Sequence, residues 1–193
     1  MAVSGTQGKS LHIACMDGDA PAVQRWLDSG NYVDKRDGFG RTGLHQAAWS
    51  GRTEVASLLL GAYAEVDARD KLHRTPLHLC SETGHQAVVK VLLDFKANMK
   101  AVDFRHETPL CKAARSGMVT VFEALVNAGA DIEVRDVDTK IAGDAFNSKA
   151  SLPAVPRESR DKIIAMRNDR QQELAKAKER EEAVRIASRV KAG

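Results

Sequence analysis

Three segments of the 193-residue chain restate one another at a fixed interval. RTGLHQAAWSG begins at Arg41, RTPLHLCSETG at Arg74 and ETPLCKAARSG at Glu107, 33 residues apart each time. One step back, Leu11 and His12 hold the places of Leu44 and His45; one step forward, KIAGDAF begins at Lys140 with Asp144 at the histidine place. The second halves repeat as well: VASLLLGAYAEVDARD, VVKVLLDFKANMKAVD and VFEALVNAGADIEVRD. A fixed period of this length means an array of small units that bury their apolar sides only by stacking.

The unit reads as two short helices and a turn. A threonine at the helix start can accept a hydrogen bond from an orphan backbone N–H. Proline follows at the first helical position, where its missing donor costs nothing. Leu44, Ala47 and Ala48 then give a thin inner face that lets neighbouring helices approach closely. Gly51, Gly84 and Gly117 close the first helix, where positive φ is wanted. Val88, Val89, Val91, Leu92 and Leu93 supply the apolar spacing of a second helix.

Thr75-Pro76-Leu77-His78, Thr108-Pro109-Leu110 and Ala128-Gly129-Ala130-Asp131 carry a resemblance to the ankyrin repeat family, covering roughly residues 8–149. The fold this implies is an all-α repeat: an ankyrin solenoid of four to five repeats with short β-hairpin-like tips, followed by a long charged C-terminal helix. The expected boundaries are an N-terminal tail at 1–9, repeats at 10–40 (the N-cap), 41–73, 74–106 and 107–139, a degenerate C-capping repeat at 140–168 and a projecting helix at 169–193. Asp17, Asp19 and Asp28 suit a polar outer cap, and Trp26 aligns with Leu59 and Leu92, which makes it core packing. Departures are visible: Gly43 replaces proline, Cys111 replaces histidine, and Tyr63 and Lys96 stand where Gly129 does. If that last position needs left-handed geometry, altered turns are expected in the second and third units, each side chain costing on the order of 1 kcal/mol.

Beyond Pro153 and Pro156 neither proline nor glycine occurs until the last residue, and the composition is rich in Ala, Glu, Lys and Arg. These are strong helix formers. A helix of ~34 residues would reach ~50 Å, more than a repeat cap can cover, so its far half is expected to project. Ile163, Ile164 and Met166 look like the outer helix of a capping repeat. Leu174, Ala177, Val184 and Ala187 make a thin heptad stripe interrupted by Arg170 and Glu181, so a solvated helix awaiting a partner is favoured over a coiled coil.

Charge is unevenly placed. Lys and Arg number 29 against 26 Asp and Glu. From Arg157 onward there are 11 basic and 7 acidic residues, so the tail is +4 and the body, with 18 and 19, is −1. Nine aromatic residues (five Phe, two Trp, two Tyr) are too few for a ring-filled β-sandwich core. Three cysteines, Cys15, Cys80 and Cys111, lack CxxC spacing and do not read as a disulfide or zinc framework. The first ten residues lack the apolar core of a signal peptide, and no apolar run approaches the ~18 residues of a spanning helix. A cytoplasmic protein in a reducing compartment is expected.

No P-loop, dinucleotide fingerprint, HExxH or GxSxG occurs, so no enzyme activity and no cofactor or metal are expected. His12, His45 and His78 recur at the repeat period, and the resemblance assigns them hydrogen bonds between loops. Cys15 and Cys80 fall at inner-helix alanine places, which points to burial.

The resemblance also places partner binding on the hairpin tips and the exposed side of the inner helices. The tips contribute Phe39, Arg41, Lys71, Leu72, Arg74, Phe104, Arg105 and Glu107, with Val137 beyond; the inner helices contribute Met16, Asp17, Trp49, Ser50, Glu82, Thr83, Arg115 and Ser116. Phe39, Trp49, Leu72 and Phe104 stand where the scaffold requires no apolar side chain, and exposed rings beside arginine match the composition of interface hot spots. The leading reading is a non-catalytic adaptor or scaffold, monomeric or within a hetero-complex, whose C-terminal helix contacts a second partner. The alternative is a structural subunit of a ribonucleoprotein or of a cytoskeletal or ciliary complex, with the basic tail on an acidic surface or on phosphates. Interleaved acids and the absence of aromatics after Arg157 argue against direct nucleic-acid binding and against a membrane-surface helix.

Overall fold

The computed structural model describes residues 10–131 and 157–190. Eight short helices form four pairs: α1 (Leu11–Asp17) with α2 (Ala20–Asp28), α3 (Gly43–Trp49) with α4 (Thr53–Gly61), α5 (Pro76–Thr83) with α6 (Gln86–Asp94), and α7 (Pro109–Arg115) with α8 (Val119–Asn127). The inner helices α1, α3, α5 and α7 pack in sequence order, and the outer helices α2, α4, α6 and α8 form a second row. No strand occurs among the described residues.

Helix starts follow the repeat. Thr42 and Thr75 are N-caps, and the histidine three residues on completes the box, its Nδ1 accepting the threonine N–H at 3.1 Å in both units. The fourth unit has Cys111 instead, and Thr108 Oγ1 there accepts the Cys111 N–H at 3.3 Å.

The expectation of altered turns at Tyr63 and Lys96 is corrected. Gly30, Tyr63, Lys96 and Gly129 all hold positive φ, at 69°, 61°, 64° and 94°. Each donates its N–H to the carbonyl three residues back, at 2.9 to 3.0 Å. The turn is set by stacking of the helices on either side, so the two non-glycine residues carry the strain instead of reshaping it.

The core is thin and built of small side chains. Ala47, Ala48, Cys80, Ala113 and Ala114 are buried in the inner row, while Val55, Leu59, Val88, Leu92, Val121 and Leu125 fill the space below the outer row. Trp26 packs against this cluster, as its alignment with Leu59 and Leu92 predicted. All three cysteines are buried outside any disulfide, and burial pushes the Cys15 thiol up to about 12.

Helix α9 (Arg157–Val190) packs against α8, with Met166 on the core cluster. It runs unbroken through residue 168, where the sequence placed the boundary between cap and projection. The side chains from Gln172 to Glu182 are all exposed. Residues 140–156, the start of the expected fifth repeat, lie outside the described residues, as does Val137.

Candidate docking face

Each tip joining two units is built on one aspartate. Asp37 Oδ1 accepts the N–H of Phe39 and of Arg41, at 2.8 and 2.9 Å. Asp70 does the same for Leu72 and Arg74, and Asp103 for Arg105 and Glu107. These side-chain turns resemble a hairpin: the backbone N–H of Asp37 donates to the Arg41 carbonyl, that of Asp70 to Arg74 and that of Asp103 to Glu107. Neighbouring tips are tied to one another. Lys71 N–H donates to the Phe39 carbonyl and Phe104 N–H to the Leu72 carbonyl, both at 3.1 Å.

The second carboxylate oxygen of each tip aspartate is held differently in each unit. Gln46 Nε2 donates to Asp37 Oδ2 at 3.0 Å. Arg74 forks onto Asp70 Oδ2 through Nε and Nη2, at 3.0 and 2.8 Å. In the next unit Glu107 occupies the arginine place, and the ammonium of Lys112 reaches Asp103 at 2.8 Å and Glu107 at 2.6 Å. Burial alone would raise all three aspartate pKa values. The backbone N–H groups, with the Arg74 guanidinium at Asp70 and the Lys112 ammonium at Asp103, outweigh it and lower them.

This geometry corrects one expectation. Glu107, read as a tip contact, is only 3 % exposed, closed in by Lys112 and by Arg115, whose Nη1 lies 2.6 Å from Glu107 Oε1. A carboxylate beside buried Asp103 needs cations, and those cations pull it inward. Arg74 is also largely committed, its guanidinium sitting on Asp70.

The apolar residues lie open. Phe39 is 68 % exposed, Phe104 54 %, Trp49 41 % and Leu72 41 %. Met16, Asp17, Lys71 and Arg105 are exposed too, and Arg41, Glu82 and Arg115 are half-buried, as are Ser50, Thr83 and Ser116. The Arg41 guanidinium stands 5.4 Å from the centre of the Phe39 ring. Trp49 ends α3, and its carbonyl accepts from His85 Nε2 at 3.0 Å, which holds the backbone under the indole. Ile13, exposed on α1 near Met16, adds an apolar side chain that the sequence did not point to. It occupies the unit position of Gln46, Leu79 and Lys112, which are buried, so the alignment of units gives no signal for its exposure in the first unit.

The repeat histidines work as joints. His45 Nε2 bonds the Arg74 carbonyl and His78 Nε2 the Glu107 carbonyl, each at 3.0 Å; His12 Nε2 bonds the carbonyls of Lys35 and Arg41. Hydrogen bonds between loops are what the sequence assigned to them.

The family model described as ankyrin repeats (three copies) matches residues 11–103 and 63–136, which together span most of the chain. The chain belongs to the ankyrin repeat family. Ankyrin repeat domain-containing protein 46 of Rattus norvegicus and of Mus musculus are each 48 % identical to it over 46 residues. That alignment covers 24 % of this chain and 20 % of each relative's length. Ankyrin repeats generally mediate protein–protein contacts and are typically non-catalytic. No helix among the described residues is long and apolar enough to cross a membrane.

Proposed function

We propose that this ankyrin repeat chain is a non-catalytic adaptor that holds a protein partner on its tips and inner-helix face. One observation carries the reading: Phe39, Trp49, Leu72 and Phe104 stand open to solvent on successive units. None of them is required by the stacking that holds the array together. Rings on a rigid scaffold lose little entropy on binding and anchor interfaces efficiently. Lys71, Arg105 and the stacked pair Phe39–Arg41 add polar and cationic contacts at the rim. Met16, Asp17, Glu82 and Arg115 extend the surface along the inner helices.

Helix α9 offers a second, separate contact. Its first half meets α8, and its exposed stretch from Gln172 to Glu182 is available to another component of an assembly. The chain is read as a monomer or a member of a hetero-complex. A reducing cytoplasm suits its three cysteines, none of them in a disulfide.

A photo-crosslinking residue placed at Phe39 or Phe104 in the cell-expressed chain should capture a discrete protein that the same residue at Ser57, on an outer helix, does not. Identical capture patterns from both faces would refute the reading.

A further inference from the structure

The tip edge carries a charge bias that the whole-chain balance conceals. Residues 36–41, 69–74 and 102–107 contain four carboxylates and six Lys or Arg residues. Asp70, Asp103 and Glu107 are buried, and Asp37 is half-buried with both oxygens hydrogen-bonded inward. The charged side chains left facing water are therefore cations, each next to an apolar one: half-buried Arg41 beside Phe39, and exposed Lys71 beside Leu72 and Arg105 beside Phe104.

Resting on the docking role proposed above, we infer that the occupant of this edge is an acidic protein segment carrying apolar side chains between its carboxylates. Complementary charge brings such a segment to the edge and fixes its register, and the rings supply desolvated contact. A phosphate chain fits less well. Of the six cations, Arg36 bonds the Gly40 and Arg69 carbonyls, Arg69 the Val102 carbonyl and Arg74 the Asp70 carboxylate, which leaves Arg41, Lys71 and Arg105 facing outward among apolar side chains. Few are left to release counterions.

The test uses the full chain and three fluorescein-labelled probes: a dodecapeptide alternating Glu or Asp with Leu and Phe, the same peptide with Gln and Asn for its acids, and an oligothymidylate of equal length. By fluorescence anisotropy the acidic peptide should bind about tenfold more tightly than the neutral one. Lys71→Glu with Arg105→Glu, both at exposed sites, should weaken it by about tenfold or more with an unchanged thermal melt. Phe39→Ala with Phe104→Ala should weaken both peptides. Equal binding of the acidic and neutral peptides would overturn the inference. So would tighter, charge-dependent binding of the oligothymidylate, or no binding of the acidic peptide at millimolar concentration. If any of these accompanies specific protein crosslinks from Phe39 and Phe104, the charge inference fails and the docking role stands. Loss of the crosslinks as well removes both.

Discussion

The Nε2–H of His78 donates to the main-chain carbonyl of Glu107 at 3.0 Å, across the boundary between the third and fourth units. Its Nδ1 accepts from Thr75 at 3.1 Å, so the ring must be neutral with its proton on Nε2. His45 repeats the arrangement with Thr42 and Arg74. Part of the inter-unit coupling thus runs through two buried imidazoles that cannot accept a second proton without losing the cap.

Burial depresses both histidines from 6.5 to about 4. Well above pH 6.5 the folded and unfolded chains are both deprotonated at these sites and neither histidine contributes a pH slope. Between pH 6.5 and 4 the unfolded chain binds the protons and the folded one does not, so stability falls as pH falls. Each ring should account for about 3 kcal/mol over that window. Urea unfolding at several pH values should show this decline well above the range where Asp37, Asp70 and Asp103 titrate. A flat profile down to pH 4 would contradict it.

Tyr63→Gly should stabilise the fold. Tyr63 holds φ 61° and is 93 % exposed, so glycine relieves strain and removes little contact. The expected gain is about 1 kcal/mol, a rise in melting temperature of a few degrees. Lys96→Gly should behave alike. A loss of stability in both would mean that the side chains, not the stacking, hold these turns.

Gly51→Ala should do the reverse. Its φ is 71°, and an added Cβ would stand 2.5 Å from His85 Nδ1. The ring must move, breaking its bond to the Trp49 carbonyl. Backbone strain and the lost contact together should cost about 2 kcal/mol in chemical denaturation.

Lys112→Leu leaves Asp103 and Glu107 buried without their ammonium and should destabilise by about 3–5 kcal/mol. The third unit already shows another solution, with Leu79 at the Lys112 place and Arg74 at the Glu107 place. Adding Glu107→Arg to Lys112→Leu transplants that arrangement and should recover most of the loss. Calorimetry on the two variants checks this; equal melting temperatures would mean that Asp103 is not the group that needs the cation.

What the sequence revealed was whatever repeats. The 33-residue period set the helix pairs, the burial of Cys15 and Cys80 and the packing of Trp26, because stacking makes equivalent positions physically equivalent, and the family resemblance supplied the joint role of the histidines. It misled where one unit departs from its neighbours. Glu107 read as an exposed tip residue because Arg41 and Arg74 occupy its place. The signal against that was the simultaneous arrival of Lys112 at an otherwise uncharged position. Tyr63 and Lys96 read as turn breakers because local preference was weighed without the packing that overrides it. The exposure of Phe39 and Phe104 depends on how each tip leans on the next, which no single unit specifies.

The most direct measurement compares binding with stability in one variant, Trp49→Ala with Phe104→Ala. That variant should lose the partner captured through Phe39 while its circular dichroism and melting temperature stay close to those of the parent chain. If the partner is retained, or if stability falls together with binding, the open rings belong to the fold and the docking face is elsewhere.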